Sequence, residues 1–76
     1  MNAYNYNFYR NLFKALDEWN LTAIMYHNTM RVRCRNTADE LSFIGAMSGH
    51  EVKRTGGDDK TSVFQIDGHA VILDYV

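Results

Sequence analysis

The residues whose type and spacing most directly predict a binding chemistry are three alternating arginines, Arg31, Arg33 and Arg35. Side chains two positions apart on a β-strand share a face, so a strand over residues 30–35 would present all three together. Guanidinium groups form paired hydrogen bonds with carboxylates and phosphates. This arginine row therefore predicts docking on an anionic surface. The intervening side chains, which would point into the core, are Met30, Val32 and Cys34.

Tyr26 is the aromatic side chain expected beside the arginine row. A β-hairpin whose turn is formed by residues 28–29 sets Tyr26 opposite Arg31 and Ile24 opposite Arg33. An aromatic ring among cations can stack on a nucleic-acid base or pack against an acidic protein. The further cations expected to reinforce the row are Lys53 and Arg54.

A solvated strand is the alternative interpretation of the arginine row. Charged side chains on an edge strand prevent unwanted pairing with other chains, and exposed ion pairs contribute little to stability. The sequence leaves both interpretations open. The acids close enough in sequence to neutralise the row are Asp39, Glu40 and Glu51.

Metal binding and catalysis have little support in the sequence. The three histidines and Cys34 show no spacing typical of zinc ligands. Asp58 and Asp59 follow two glycines in a turn, where exposed carboxylates lack the contrasting environments that an acid–base pair requires. We therefore predict a protein that is not an enzyme and that uses no metal and no cofactor.

An amphipathic helix over residues 8–19 is the clearest of the elements that must position these side chains. At 100° per residue its apolar side chains fall on one arc and its charged side chains on the other. Asn5 or Asn7 is the expected N-cap, and Asn20 is the expected end. The apolar arc consists of Phe8, Tyr9, Leu12, Phe13, Ala15, Leu16 and Trp19.

A second helix and three strands are predicted after the hairpin. Thr37 and Glu40 have the spacing of a capping box, which indicates the start of a short helix. Asp67-Gly68 is a strong signal for a two-residue hairpin turn. The strands predicted in this half of the chain cover residues 51–55, 61–66 and 69–75.

The C-terminal hairpin is apolar on both faces in the register that its turn sets. One face pairs Phe64 with Val71, and the other pairs Val63 with Ile72. A second apolar face requires another layer of the protein or a partner to cover it. The predicted homodimer surface consists of Val63, Ala70 and Ile72.

Length and composition restrict the fold class. The 76 residues have a net charge of −1 and a hydrophobic content of 46%, which indicates one folded domain without a general attraction to nucleic acid or membranes. A single cysteine allows no internal disulfide, and no apolar run approaches the ~18 residues needed to cross a bilayer. We predict a cytoplasmic, compact α+β domain over residues 1–76. In the order α-β-β-α-β-β-β, about five strands form one antiparallel or mixed sheet, with two helices on one face.

In its length, its Asn- and Tyr-rich composition and its lack of a catalytic signature, the chain resembles the small phage-encoded proteins that block host enzymes or defence systems, such as anti-CRISPR proteins. The resemblance implies an inhibitor that acts in the host cytoplasm by covering a macromolecular surface. The residues leave three functions open. These are a binding protein that docks on an acidic patch, a nucleic-acid-binding module that uses the arginine row, and a structural homo-oligomer subunit.

Overall fold

Two helices and five strands follow one another in the order α-β-β-α-β-β-β in the computed structural model, which describes residues 3–76 and the side chains from residue 6 onward. The helices are α1 (Ala3–Glu18) and α2 (Thr37–Ala46). The strands are β1 (Ala23–Tyr26), β2 (Thr29–Cys34), β3 (Val52–Gly57), β4 (Thr61–Ile66) and β5 (His69–Tyr75).

The five strands form one mixed sheet of order β1-β2-β5-β4-β3. β2 and β5 run parallel, and the other neighbouring strands are antiparallel. Both helices pack on the same face of this sheet, so the predicted α+β architecture is confirmed. Neither described helix combines the length and apolarity that crossing a bilayer requires.

The predicted apolar arc of α1 faces the core. Its buried members are Tyr9, Leu12 and Leu16. The Tyr9 hydroxyl donates a hydrogen bond to the carbonyl oxygen of Ala70 at 3.0 Å, which ties the helix to β5. Burial raises the pKa of Tyr9, because the phenolate form would lose its hydration.

The start of α1 lies earlier than predicted, at Ala3. The helix runs through Asn5 and Asn7, so neither residue is its N-cap, and that prediction is wrong. Asparagine inside a helix costs only about 0.5 kcal/mol relative to alanine, which is too little to end a helix whose following turns pack on a core.

α1 ends in a Schellman motif at Asn20, which is the residue predicted to end the helix. Asn20 has a φ of 60°, and its N–H donates to the Asp17 carbonyl oxygen at 3.0 Å. The Leu21 N–H donates to the Leu16 carbonyl oxygen at 3.0 Å, which completes the motif. Trp19, which the pattern placed on the buried arc, follows the last helical residue and is 47% exposed.

The β1–β2 turn lies one residue earlier than predicted. His27 and Asn28 occupy it with φ of 50° and 61°, and a type I′ turn requires both central residues in this left-handed region. Thr29 is β-branched and is disfavoured there, so it begins β2 instead.

Because the turn is shifted, the residues that pair across the strands differ from those predicted for the arginine row. Tyr26 pairs with Thr29 and not with Arg31, while Ile24 pairs with Arg31 and not with Arg33. Because each partner moves by two positions, every side chain keeps its predicted face.

The N-cap of α2 is Asn36 and not Thr37, which is the first helical residue. The Oδ1 atom of Asn36 accepts a hydrogen bond from the Asp39 N–H at 2.9 Å. The Asp39 carboxylate accepts the backbone N–H of Arg35 at 2.9 Å. A similar pair of hydrogen bonds to the one predicted for Thr37 and Glu40 therefore forms one position earlier. Asparagine is a stronger capping residue than threonine.

The β4–β5 hairpin has the predicted register. Phe64 pairs with Val71 and Val63 with Ile72, around a turn in which Asp67 and Gly68 have φ of 50° and 83°. These positive values are those of the predicted type I′ turn.

β3 continues two residues beyond its predicted end, to Gly57. Gly57 has a φ of 133°, and a Cβ atom there would lie 2.4 Å from the Thr61 carbonyl oxygen, so the close approach requires glycine. The turn follows at Asp58, whose Oδ1 accepts the N–H groups of Lys60 and Thr61. These hydrogen bonds lower the pKa of Asp58, whose role is to shape the turn.

The intervening residues of the arginine row are buried as predicted: Met30, Val32 and Cys34. Met30 and Val32 belong to the core cluster between the sheet and the helices, together with Phe43 and Leu73. Burial raises the pKa of the Cys34 thiol and so disfavours its reactive thiolate form.

Candidate functional site

The sheet face opposite α1 and α2 is covered by no element within residues 3–76. Alternate strand residues point toward it, because their neighbours are buried beneath the helices. Ile24 and Tyr26 are 56% and 54% exposed on this side. We name this surface the open face, and its members are Ile24, Tyr26, Arg31, Arg33, Val63, Gln65, Ala70, Ile72 and Asp74.

Cross-strand pairing builds a continuous strip over four strands of the open face. Ile24 pairs with Arg31, Arg31 with Ile72, and Ile72 with Val63. Neighbouring strands lie about 4.8 Å apart, so each of these four side chains lies next to the one on the neighbouring strand. The strip therefore joins three aliphatic side chains to one guanidinium, and we name it the aliphatic strip.

Two members of the arginine row, Arg31 and Arg33, lie on this face together with the predicted homodimer surface. The sequence predicts them as separate surfaces, because no local signal connects β2 with a strand near the end of the chain. The parallel pairing of β2 with β5 brings them together and sets Arg33 beside Asp74. The residues of the predicted homodimer surface that occupy the open face are Val63, Ala70 and Ile72.

Arg31 is held by an ion pair within the open face. Its Nη1 lies 3.2 Å from Oδ2 of Asp74, and its guanidinium lies 5.5 Å from the centre of the Tyr26 ring. Both charged side chains are about one-third exposed, so the pair contributes at most about 1 kcal/mol to stability. Its main effect is to fix the guanidinium in place and to offset its positive charge with the Asp74 carboxylate.

Arg35 lies outside the strand that carries the other two arginines, because β2 ends at Cys34 and not at residue 35 as predicted. The Nε atom of Arg35 donates to Asp39 Oδ2 at 2.9 Å, and Nη2 donates to Oδ1 at 3.3 Å. Hydrogen bonding from Arg35 holds the pKa of the Asp39 carboxyl below its ordinary value. The expected neutralisation by Asp39 is confirmed for this arginine.

Arg33 forms no ion pair with any residue that the structure describes. Its exposed side chain lines two adjoining grooves of about 370 and 280 Å³. A guanidinium in this state retains its full capacity to bind a carboxylate. The other residues that line the larger groove are Thr22, Ile24, Arg31, Asp74 and Val76. Those of the smaller groove are Leu21, Thr22, Arg35 and Asp39.

Lys53 and Arg54 do not adjoin the arginine row. β3 lies three strands away from β2, at a distance of about 14 Å. Lys53 pairs across strands with Gln65 of the open face, and its ammonium lies 3.6 Å from Glu51. Arg54 points to the helix side of the sheet, where its Nε and Nη2 donate to the Ser62 hydroxyl at 3.4 Å.

Polar clusters away from the open face link separate segments of the chain. Nδ1 of His50 lies 2.6 Å from Oδ2 of Asp67, whose other oxygen accepts the Glu51 N–H at 2.8 Å. The hydroxyls of Ser62 and Tyr75 are 2.7 Å apart beneath α2. Among the described residues, no three His, Cys, Asp or Glu side chains converge as a metal site.

Comparison with protein-family models, curated proteins and solved structures finds no match for this chain. The chemistry of the open face is therefore the guide to function. It combines an arginine that has no ion pair within residues 3–76 with an exposed isoleucine and an exposed tyrosine, which is the composition typical of protein-binding surfaces.

Proposed function

We propose that this chain is a non-enzymatic binding protein whose open face docks on an acidic and partly apolar surface of another protein. The observation that carries the proposal is Arg33, which has no ion pair with any described residue and lies beside the aliphatic strip at its exposed end, Ile24. An arginine enclosed by apolar contacts is among the residues that contribute most to the stability of protein complexes. The partner would supply a carboxylate to Arg33 and apolar side chains to the strip.

A protein partner suits the open face better than a nucleic acid does. Protein surfaces that bind nucleic acids combine several phosphate-binding cations with aromatic rings that stack on bases. Here Arg31 is already paired with Asp74, Lys53 lies about 14 Å from the arginine row at the far edge of the sheet, and Tyr26 is the aromatic side chain of the face. One unpaired guanidinium is better matched to a carboxylate than to a chain of phosphates.

A second copy of the chain is a poor occupant of the same face. In a face-to-face dimer, Arg33 of each copy would need a carboxylate from the other. The acid of the open face, Asp74, is already paired with Arg31. We therefore do not assign the open face to self-association.

Blocking access to the bound surface is the effect we propose for docking. The molecule measures 32 × 25 × 21 Å. The area of its broadest side is therefore comparable to the ~800 Å² that each partner contributes to a typical interface. Occlusion by a small protein is also the mode of action implied by the resemblance to phage-encoded inhibitors.

Affinity capture with matched charge reversals tests the proposal. The immobilised proteins are the wild type, Arg33→Glu on the open face, and Lys14→Glu on the exposed side of α1. We expect a protein that the wild type and Lys14→Glu retain and that Arg33→Glu loses, with all three folded by circular dichroism. Equal retention by all three would contradict the proposal.

Fluorescence anisotropy with single- and double-stranded oligonucleotides tests the nucleic-acid alternative. Phosphate binding releases counterions, so its affinity falls steeply with salt. We expect no binding at two salt concentrations. Salt-sensitive binding that Arg33→Glu abolishes would replace the protein partner with a nucleic acid.

A further inference from the structure

The backbone of β1 has unpaired hydrogen-bonding groups along one edge of the sheet. Antiparallel strands bond through alternate residue pairs, and one such pair contains the 2.8 Å hydrogen bond from the Arg33 N–H to the Thr22 carbonyl oxygen. Ala23 and Met25 lie in the intervening pairs, so their N–H and C=O groups point away from β2. These groups have no hydrogen-bond partner in the described part of the chain. The edge therefore presents the donors and acceptors that a further strand would use.

The opposite edge of the sheet, β3, is protected against such pairing, whereas β1 is not. β3 carries the charged side chains of Lys53 and Arg54, and its register shifts between Arg54 and Gly56. Charged residues and bulges are devices that keep an edge strand from pairing with other chains. The sequence of β1, Ala-Ile-Met-Tyr, contains no charge and no proline, and its register is continuous. β1 is therefore the edge that can accept a strand.

A groove of about 230 Å³ lies beside this edge, between α1 and β1. Ala23 and Met25 pack against the core, so a side chain that pairs with Met25 would also point to the helix side and enter the groove. Arg10 is exposed there and forms no ion pair with a described residue. The groove thus suits an apolar side chain with a carboxylate nearby. The residues that line it are Tyr6, Tyr9, Arg10, Phe13 and Met25.

We infer that β1 binds an extended acidic segment of another protein, which adds to the five-stranded sheet as a sixth strand antiparallel to β1. The edge groups of Ala23 and Met25 bond to the main chain of the segment. One apolar side chain of the segment fills the groove, and an acid two residues away, on the same face of the segment, pairs with Arg10. The inference does not rest on the proposed function, because neither the edge groups nor the groove includes Arg33.

A second copy of the chain fits this edge less well. Two β1 strands paired antiparallel about Ile24 would set Ala23 of one copy opposite Met25 of the other. The methyl group of Ala23 would then leave most of the groove unfilled. No acid lines the groove, so Arg10 of each copy would find no carboxylate in the groove of the other.

Amide hydrogen exchange of the isotopically labelled full chain tests the inference with the synthetic peptide Thr-Glu-Thr-Leu-Thr-Glu-Thr. Its leucine supplies the apolar side chain, and a glutamate lies two residues away on either side. At about 90% occupancy the Ala23 and Met25 amides should exchange about tenfold more slowly, because only unbound chains exchange there. The amides of Ile24 and Tyr26 already bond to β2 and should change much less.

Matched peptides and charge reversals separate the contributions to binding. The same peptide N-methylated at its leucine lacks the donor for the Met25 carbonyl oxygen and should bind at least about tenfold more weakly. Arg10→Glu should lose the glutamate peptide and bind its lysine counterpart. Lys14→Glu, on the exposed side of α1 and outside the groove, and Arg33→Glu should bind the glutamate peptide like the wild type.

Three results would overturn the inference. The first is no protection of the Ala23 and Met25 amides by the glutamate peptide at about 1 mM. The second is equal binding of the N-methylated peptide, which would show that main-chain pairing is not used. The third is protection of both amides without peptide in a dimeric chain, which would assign the edge to a second copy.

Discussion

Arg31 and Asp74 form a 3.2 Å ion pair between parallel strands, although they are 43 residues apart in the chain. Arg33 lies two residues further along the same strand and has no ion pair among the described residues. Two arginines that look equivalent in the sequence therefore differ in the charge they present to a partner. This difference is the basis of the proposed function.

Replacing Asp74 with asparagine should strengthen binding to the acidic partner. The substitution releases the Arg31 guanidinium and adds positive charge to the open face. Affinity should rise severalfold at low salt and depend more strongly on salt, because exposed charges are screened. Titration calorimetry at two salt concentrations measures both effects, and weaker binding would contradict the prediction. Stability should fall by less than about 1 kcal/mol, since the pair is partly exposed.

Acid should destabilise the protein through carboxyls whose pKa is lowered in the folded state. Arg35 lowers the pKa of Asp39 chiefly through its side-chain hydrogen bonds. The unfolded chain then binds more protons in acid, so Tm should stay level down to about pH 4 and fall below it. Thermal unfolding from pH 7 to pH 2 measures this, and Asp39→Asn should show a lower Tm at pH 7 and a shallower acid decline. The other carboxyls with a lowered pKa are Asp58 and Asp67.

Asn36→Ala should destabilise the protein by about 1 kcal/mol, because it removes the side chain that caps α2. Thr37→Ala is the matched control. It should change the free energy of unfolding by less than about 0.5 kcal/mol, since Thr37 is an exposed first residue of the helix. Urea unfolding of both variants provides the comparison. A larger effect at Thr37 would restore the N-cap predicted from the sequence.

Neighbouring residues of β5 should respond differently to truncation. Leu73→Ala should cost about 2–5 kcal/mol, because Leu73 is fully buried beneath the helices. Ile72→Ala should cost about 1 kcal/mol, because Ile72 is half-buried on the open face and loses only part of its transfer free energy. Equal costs in denaturant unfolding would show that both faces of the sheet are covered in solution.

The order and type of the elements could be predicted because each has a local signal. The apolar arc of α1, the alternation around Arg31 and Arg33, and the Asp67-Gly68 turn all indicate their elements without reference to the rest of the chain. Some element bounds are shifted by one residue where polar side chains compete for one role, as Asn36 and Thr37 do at the N-cap of α2.

The composition of the open face could not be predicted, because it depends on contacts between distant segments. Parallel pairing of β2 with β5 has no turn that sets its register, so the neighbours of Arg31 were unknown from sequence. The same pairing introduced Asp74, which was not among the expected neutralising acids. Lys53 and Arg54 lie away from the arginine row because the strand order, which local patterns do not indicate, places β3 at the far edge of the sheet.

Chemical-shift mapping of the isotopically labelled chain with its captured partner locates the docking surface directly. We expect the largest backbone amide shifts at open-face positions of β1, β2 and β5, centred on Ile24, Arg33 and Ile72. Shifts concentrated on α1 or α2, with these three amides unchanged, would contradict it.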